Sequence, residues 1–147
     1  EVRAVLTTEI IQIEGEGHCL YRSFATAMNA QGGGPIVQAD VREAEALRDK
    51  TVKYIDANWE DYSGDHGLRL PKQVILDAIR SNERGFGEME RQALGDMHNS
   101  VINVRYVAVG NTRDLRHEPK KQPDKPPGPE INLILEEMHY GVLLVNK

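Results

Sequence analysis

A chain of 147 residues can bury roughly 70% of its unfolded surface; its 39% hydrophobic side chains and 13 glycines reach about 48%, the share of a folded globular domain. Lys and Arg number 18 against 23 Asp and Glu, a net charge of −5 without any basic block longer than a Lys-Lys pair, which argues against nucleic acid as the main partner. The single cysteine, Cys19, excludes an internal disulfide and a multi-thiolate zinc site, and no apolar run approaches the ~18–20 residues that cross a bilayer. A soluble chain working in the cytoplasm is expected. The first residue is Glu1, so the sequence reads as a processed product or a domain excised from a longer chain.

Residues 5 to 13 are β-branched and partly alternating, as in a short strand, and end at the turn Glu14-Gly15-Glu16-Gly17. Cys19 follows directly and opens a helix whose apolar positions are Leu20, Phe24, Ala27 and Met28, closed by Gly32-Gly33-Gly34-Pro35. Asp40 and Glu43 form a capping-box-like start to a second helix with an apolar face from Val41 through Ala44, Leu47, Val52 and Ile55 to Trp59. A third helix takes Pro71 as its first residue and Val74, Ile75, Leu76 and Ile79 as core; a fourth carries Met89, Ala93, Leu94 and Met97. A strand is predicted over 101–109, and two more over 131–135 and 142–145. Between 110 and 130 lie Pro119, Pro123, Pro126, Pro127 and Pro129, so an exposed loop without regular structure is expected there, mobile and dispensable for folding. The whole, 1–147, reads as a single α+β domain with a small central β-sheet flanked by helices.

A lone cysteine is either a small buried hydrophobe or a nucleophile. A nucleophilic thiol must lose its proton near neutral pH and generally takes a histidine partner. Cys19 stands where free amide N–H groups and the positive end of a helix converge, behind a glycine-rich loop that lets a substrate carbonyl approach the backbone. Such amides can form an oxyanion hole.

The segment Glu16-Gly17-His18-Cys19-Leu20-Tyr21-Arg22-Ser23-Phe24 resembles the catalytic-cysteine motif of the ovarian-tumour (OTU) family of deubiquitinating cysteine proteases, Asp-Gly-any-Cys-Leu/Phe-Phe/Tyr-Arg-Ala/Ser. Phe86-Gly87, Met89 to Leu94 and Ile102-Asn103-Val104 are similar to the family's Trp-Gly, Glu-x-x-Ala-Leu and Ile-x-Val stretch. Ile131-Asn132-Leu133, His139-Tyr140 and the strand from Val142 resemble its terminal strand pair. The resemblance implies a papain-related fold, Cys19 as nucleophile, His139 as general base, and an oxyanion loop of Glu16, Gly17 and His18 with the Cys19 amide. The implied partner is ubiquitin, polyubiquitin or a ubiquitin-like protein, the enzyme acting as a monomer without metal or organic cofactor. Its implied setting is the cytoplasm, that of a host if the source is a pathogen.

Two positions depart from the family pattern. Glu16 stands for Asp, and Gly141 stands where Asp or Asn holds the imidazole two residues after the histidine. The site is then a Cys-His dyad, or a residue elsewhere, such as Glu9 or Glu14, anchors His139. Two alternatives to an isopeptidase follow: an OTU-like ubiquitin-binding module with impaired catalysis, and a proteinase that processes a viral-type polyprotein. Glu136-Glu137 reads as a charged turn, Tyr54 and Trp59 as core, and His66, His98 and His117 as isolated side chains outside any metal-ligand spacing.

Overall fold

The computed structural model describes residues 7–11, 18–30, 37–63, 70–81, 87–120, 122, 124–136 and 139–146. Glu14, Glu16, Gly17, His66 and Phe86 lie outside the described residues. Among those described the order is β1 (Thr7–Ile11), α1 (Cys19–Asn29), α2 (Val41–Ala57), α3 (Trp59–Ser63), α4 (Lys72–Arg80), α5 (Gly87–His98), β2 (Ile102–Ala108), β3 (Asn111–His117), β4 (Ile131–Glu136) and β5 (His139–Asn146).

The expected helix starts are largely where their chemistry puts them. The Asp40 carboxylate accepts the N–H of Glu43 at 2.8 Å and caps α2. Pro71 has φ −59° and ψ 146°, so it precedes α4 as its N-cap instead of being its first residue. Asn58 ends α2, which transfers Trp59 to the short helix α3. Val41 and Val74, both expected in the core, are 41% and 49% exposed, because each stands in the first turn or so of its helix, off the buried stripe.

The strands form one mixed sheet in the order β1-β5-β4-β2-β3. β2 and β4 are parallel, Ile102 beside Ile131, and the other neighbours are antiparallel. The expected loop over 110–130 is corrected at its start: 111–117 is β3, which pairs with β2 through a turn where Gly110 takes φ 74°. The described residues of 118–130 form no regular element, and β4 follows.

α1 packs on β5 and β4 and buries Leu20, Tyr21 and Phe24 against Leu133, Tyr140 and Val142. A second core lies among α2, α3, α4 and α5, with Ile55, Tyr62, Ile75, Ile79 and Met89 almost wholly buried. Each large apolar side chain withdrawn in this way contributes about 1.5–3 kcal/mol before ordering costs are counted. The helical core supports α5 and α2; the sheet core holds the start of α1 against the start of β5.

Candidate active site

Cys19 is the first residue of α1, and its N-cap, His18, lies at φ −106° and ψ 6°. The His18 carbonyl accepts the Arg22 N–H at 2.9 Å, but no side chain caps the helix, and its first turn holds no acidic residue. The first amides of α1 are therefore not taken by its own cap, and the positive end of the helix is left uncompensated from within. The His18 Nδ1 atom is buried with no hydrogen-bond partner. Arg22 donates from Nε to the Ala39 carbonyl at 2.9 Å, and Ala39 N–H donates to Thr26 Oγ1 at 2.9 Å, so the motif's arginine fastens α1 to the segment ahead of α2.

The thiol is 9% exposed and meets the chain 121 residues away: the Tyr140 N–H donates to Cys19 Sγ at 3.4 Å. That N–H belongs to the peptide joining His139 to Tyr140. Tyr140 and Val142 pack in the core with α1, and the register sets His139 opposite Glu136 and Gly141 opposite Ile134 on β4. The structure thus brings Cys19 to the first peptide of β5, at whose head the half-buried His139 stands.

His98 and His117 are engaged elsewhere. His98 Nδ1 bonds the Leu94 carbonyl at 2.8 Å, and burial lowers its pKa. His117 Nε2 lies 3.4 Å from Asp96 Oδ1. Of the acidic candidates for an imidazole anchor, β1 sets Glu9 opposite Leu144, which is five positions along β5 from His139, or roughly 16 Å at ~3.3 Å per residue. Glu136, read from sequence only as part of a charged turn, is the direct cross-strand partner of His139. Among the described residues no group of three His, Cys, Asp or Glu side chains is placed to hold a metal ion, and no helix is long and apolar enough to cross a membrane.

A buried polar chain runs behind the thiol. Tyr21 donates to Glu90 Oε1 at 2.5 Å, with the Arg48 guanidinium 4.9 Å from the Tyr21 ring centroid. Burial pushes the Glu90 carboxyl up, against the Tyr21 hydrogen bond and the charges of Arg48 and Arg91. Arg91 Nη1 donates to the Tyr140 hydroxyl, its guanidinium 5.9 Å from that ring's centroid. Sequence reasoning missed the part played by Glu90 and Arg91, although both fall in the stretch that resembles the family's Glu-x-x-Ala-Leu.

Solved structures of OTU domains are similar to this one. The OTUD1 OTU domain superposes with a TM-score of 0.70 at 20% identity, covering 93% of this chain and 85% of that one. The OTU domain protease of Taggert virus gives 0.71 at 17% identity over 95% and 82%. An OTU deubiquitinase from Wolbachia pipientis wMel, solved bound to ubiquitin, gives 0.62 at 18% identity over 93% and 95%. Such identities speak for the fold. No curated protein matches the chain. The family model described as OTU-like cysteine protease matches residues 14–133, a span that includes Cys19 and stops short of His139. With most of its length matched and the α+β fold in agreement, the chain belongs to the OTU-like cysteine protease family.

Proposed function

We propose that this chain is a thiol-dependent deubiquitinase that hydrolyses the isopeptide bond after the C-terminus of ubiquitin or a ubiquitin-like protein, with Cys19 as nucleophile and His139 as general base. The observation that carries the reading is the Tyr140 N–H to Cys19 Sγ contact at 3.4 Å, which joins the head of α1 to the residue after His139. That similar OTU domains were solved with ubiquitin bound, from Hazara virus and from Wolbachia, supports the choice of substrate.

His139 takes the thiol proton, and the thiolate attacks the carbonyl carbon of the C-terminal residue of ubiquitin. The developing oxyanion is met by the Cys19 amide and the loop of Glu16, Gly17 and His18. The imidazolium protonates the leaving lysine amine, the C–N bond breaks, and a thioester remains. A water molecule gives a proton to His139, attacks the thioester, and releases ubiquitin with a free carboxylate and the thiol restored. Gly141 offers His139 no side chain, and among the described residues Glu136 is the acidic group set opposite His139 by register.

The test is incubation with ubiquitin carrying a C-terminal thiol-reactive electrophile, beside a diubiquitin cleavage assay. An adduct on Cys19 is expected, absent in Cys19→Ser, and His139→Ala should slow cleavage by roughly 10²–10⁴-fold. An adduct without turnover would favour the binding-module alternative. Cleavage retained by Cys19→Ser, or unchanged by His139→Ala, would overturn the assignment.

A further inference from the structure

The reading of Cys19 and His139 as the reacting pair leaves open what holds α1 and β5 in register with each other. Their local structure does so only in part. α1 has no side-chain cap. β5 pairs with β4 from Glu136–His139 onward, and among the described residues its register with β1 runs from Val142 opposite Ile11.

Two consecutive residues of α5 reach both segments. Glu90 accepts the hydroxyl of Tyr21, two residues beyond the thiol on α1, and Arg91 donates to the hydroxyl of Tyr140, one residue beyond the imidazole on β5. Both tyrosines are nearly inaccessible, at 1% and 7% exposure, so these bonds form where water competes little. Gly87, one turn earlier on α5, borders this contact: a Cβ there would meet Arg91 Nη1 at 3.5 Å and the Tyr140 hydroxyl at 3.6 Å, ordinary van der Waals distances.

We propose that Glu90 and Arg91 form a clasp on α5 that sets the spacing between the nucleophile helix and the base strand, Arg91 acting as a positioning residue that, through Tyr140, aims the Tyr140 N–H at Cys19 Sγ. An amide aimed at sulfur favours the thiolate over the thiol, and the same tether fixes where His139 leaves the strand. Neither residue touches substrate in this scheme.

Cys19 is the sole cysteine, so alkylation by iodoacetamide reports on it alone and needs no ubiquitin. The alkylation rate is measured from about pH 5 to pH 9 for the wild type, Tyr140→Phe, Arg91→Gln and the double variant, with thermal melts to establish folding. Each single variant should move the profile upward by about one pH unit, or about tenfold slower alkylation on the acid limb. The double variant should be no worse than either single one, since the two substitutions cut the same link. Diubiquitin cleavage should show the loss in kcat with little change in KM. Lowered melting temperatures with an unmoved profile would reduce the clasp to ordinary packing, and additive shifts would show that Arg91 does not act through Tyr140; either overturns the proposal. If Arg91→Gln fails to fold, Tyr140→Phe decides alone. A wild type that shows the alkylation profile yet ignores the ubiquitin reagent ends the deubiquitinase reading and leaves the clasp standing.

Discussion

Ser23 lies one helical turn beyond Cys19, wholly buried, and its hydroxyl has no hydrogen-bond partner among the described residues. A buried hydroxyl left unpaired costs roughly 1–3 kcal/mol relative to its hydrated state, whereas a methyl group in its place loses nothing of that kind. Ser23→Ala should therefore stabilise the chain by about 1 kcal/mol in urea unfolding, in line with the Ala that the family motif also admits there. A loss of stability would show that the hydroxyl is paired through a bound water. At this scale the sequence was most informative about the thiol, because a cysteine at a helix start after a glycine-rich turn is a local pattern. It said little about Tyr21 and Tyr140, whose hydroxyl partners stand 69 and 49 residues away and are fixed only by how α5 packs.

At the scale of elements, the proline-rich stretch shows where composition misleads. Proline removes N–H donors and breaks ladders, and the described residues of 118–130 hold no regular element. Several of their polar groups are nonetheless bonded at the end of α5 and at Asn99. Asp96 accepts the Lys120 N–H at 3.0 Å and the Tyr62 hydroxyl at 2.7 Å, and the Asp96 carbonyl accepts Gln122 Nε2 at 2.5 Å. Asn99, at φ 50°, donates from Nδ2 to the carbonyls of Lys125 and Pro126 and accepts the Gly128 N–H at 2.9 Å through its own carbonyl. The stretch is tied to α5 and to Asn99 by these bonds. Such ties were illegible because a loop's partners depend on where the helix ends, while β1, β2, β4, β5 and the four longer helices came from local periodicity; β3, α3 and the parallel pairing of β2 with β4 did not. Gly128 gives the test: a Cβ there would fall 2.3 Å from both the His98 carbonyl oxygen and Ser100 Oγ. Gly128→Ala should destabilise the chain by about 1–3 kcal/mol, the ordinary cost of overpacking. An unchanged urea midpoint would mean that the stretch lifts without consequence.

For the whole molecule, the buried polar groups make stability depend on pH in opposite directions at the two ends of the scale. Glu90, raised by burial, favours the folded state while it is protonated; that contribution is complete below its unfolded value of 4.5 and is lost as pH rises through the folded one. Asp96 runs the other way. Burial pushes it up, but His117, the Lys120 amide and Tyr62 outweigh burial and lower it, so its contribution is present above 3.8 and lost as pH falls through the folded value. These two offset each other across the acid range. On the alkaline side the buried tyrosines act in the same direction. Burial raises Tyr21, Tyr62 and Tyr140; the Glu90 charge adds to it for Tyr21 and the Asp96 hydrogen bond for Tyr62, while Arg91 opposes it for Tyr140. Above about pH 10 the unfolded chain releases these protons and the folded chain keeps them. Stability is then complete below that pH and falls above it, by up to about 1.4 kcal/mol per pH unit for each tyrosine. Three such groups acting together would exhaust a typical 5–15 kcal/mol within roughly one to four pH units. Tyrosinate absorbance and helical circular dichroism, followed together from about pH 9 upward, should show these three ionising only as the helical signal collapses. Because Tyr21 and Tyr140 are also the hydroxyls gripped by α5, alkylation of Cys19 should lose its native rate in the same transition. Ionisation of all five tyrosines while the helical signal is intact would show that the hydroxyls are open to solvent and that the buried chain behind the thiol does not hold in solution.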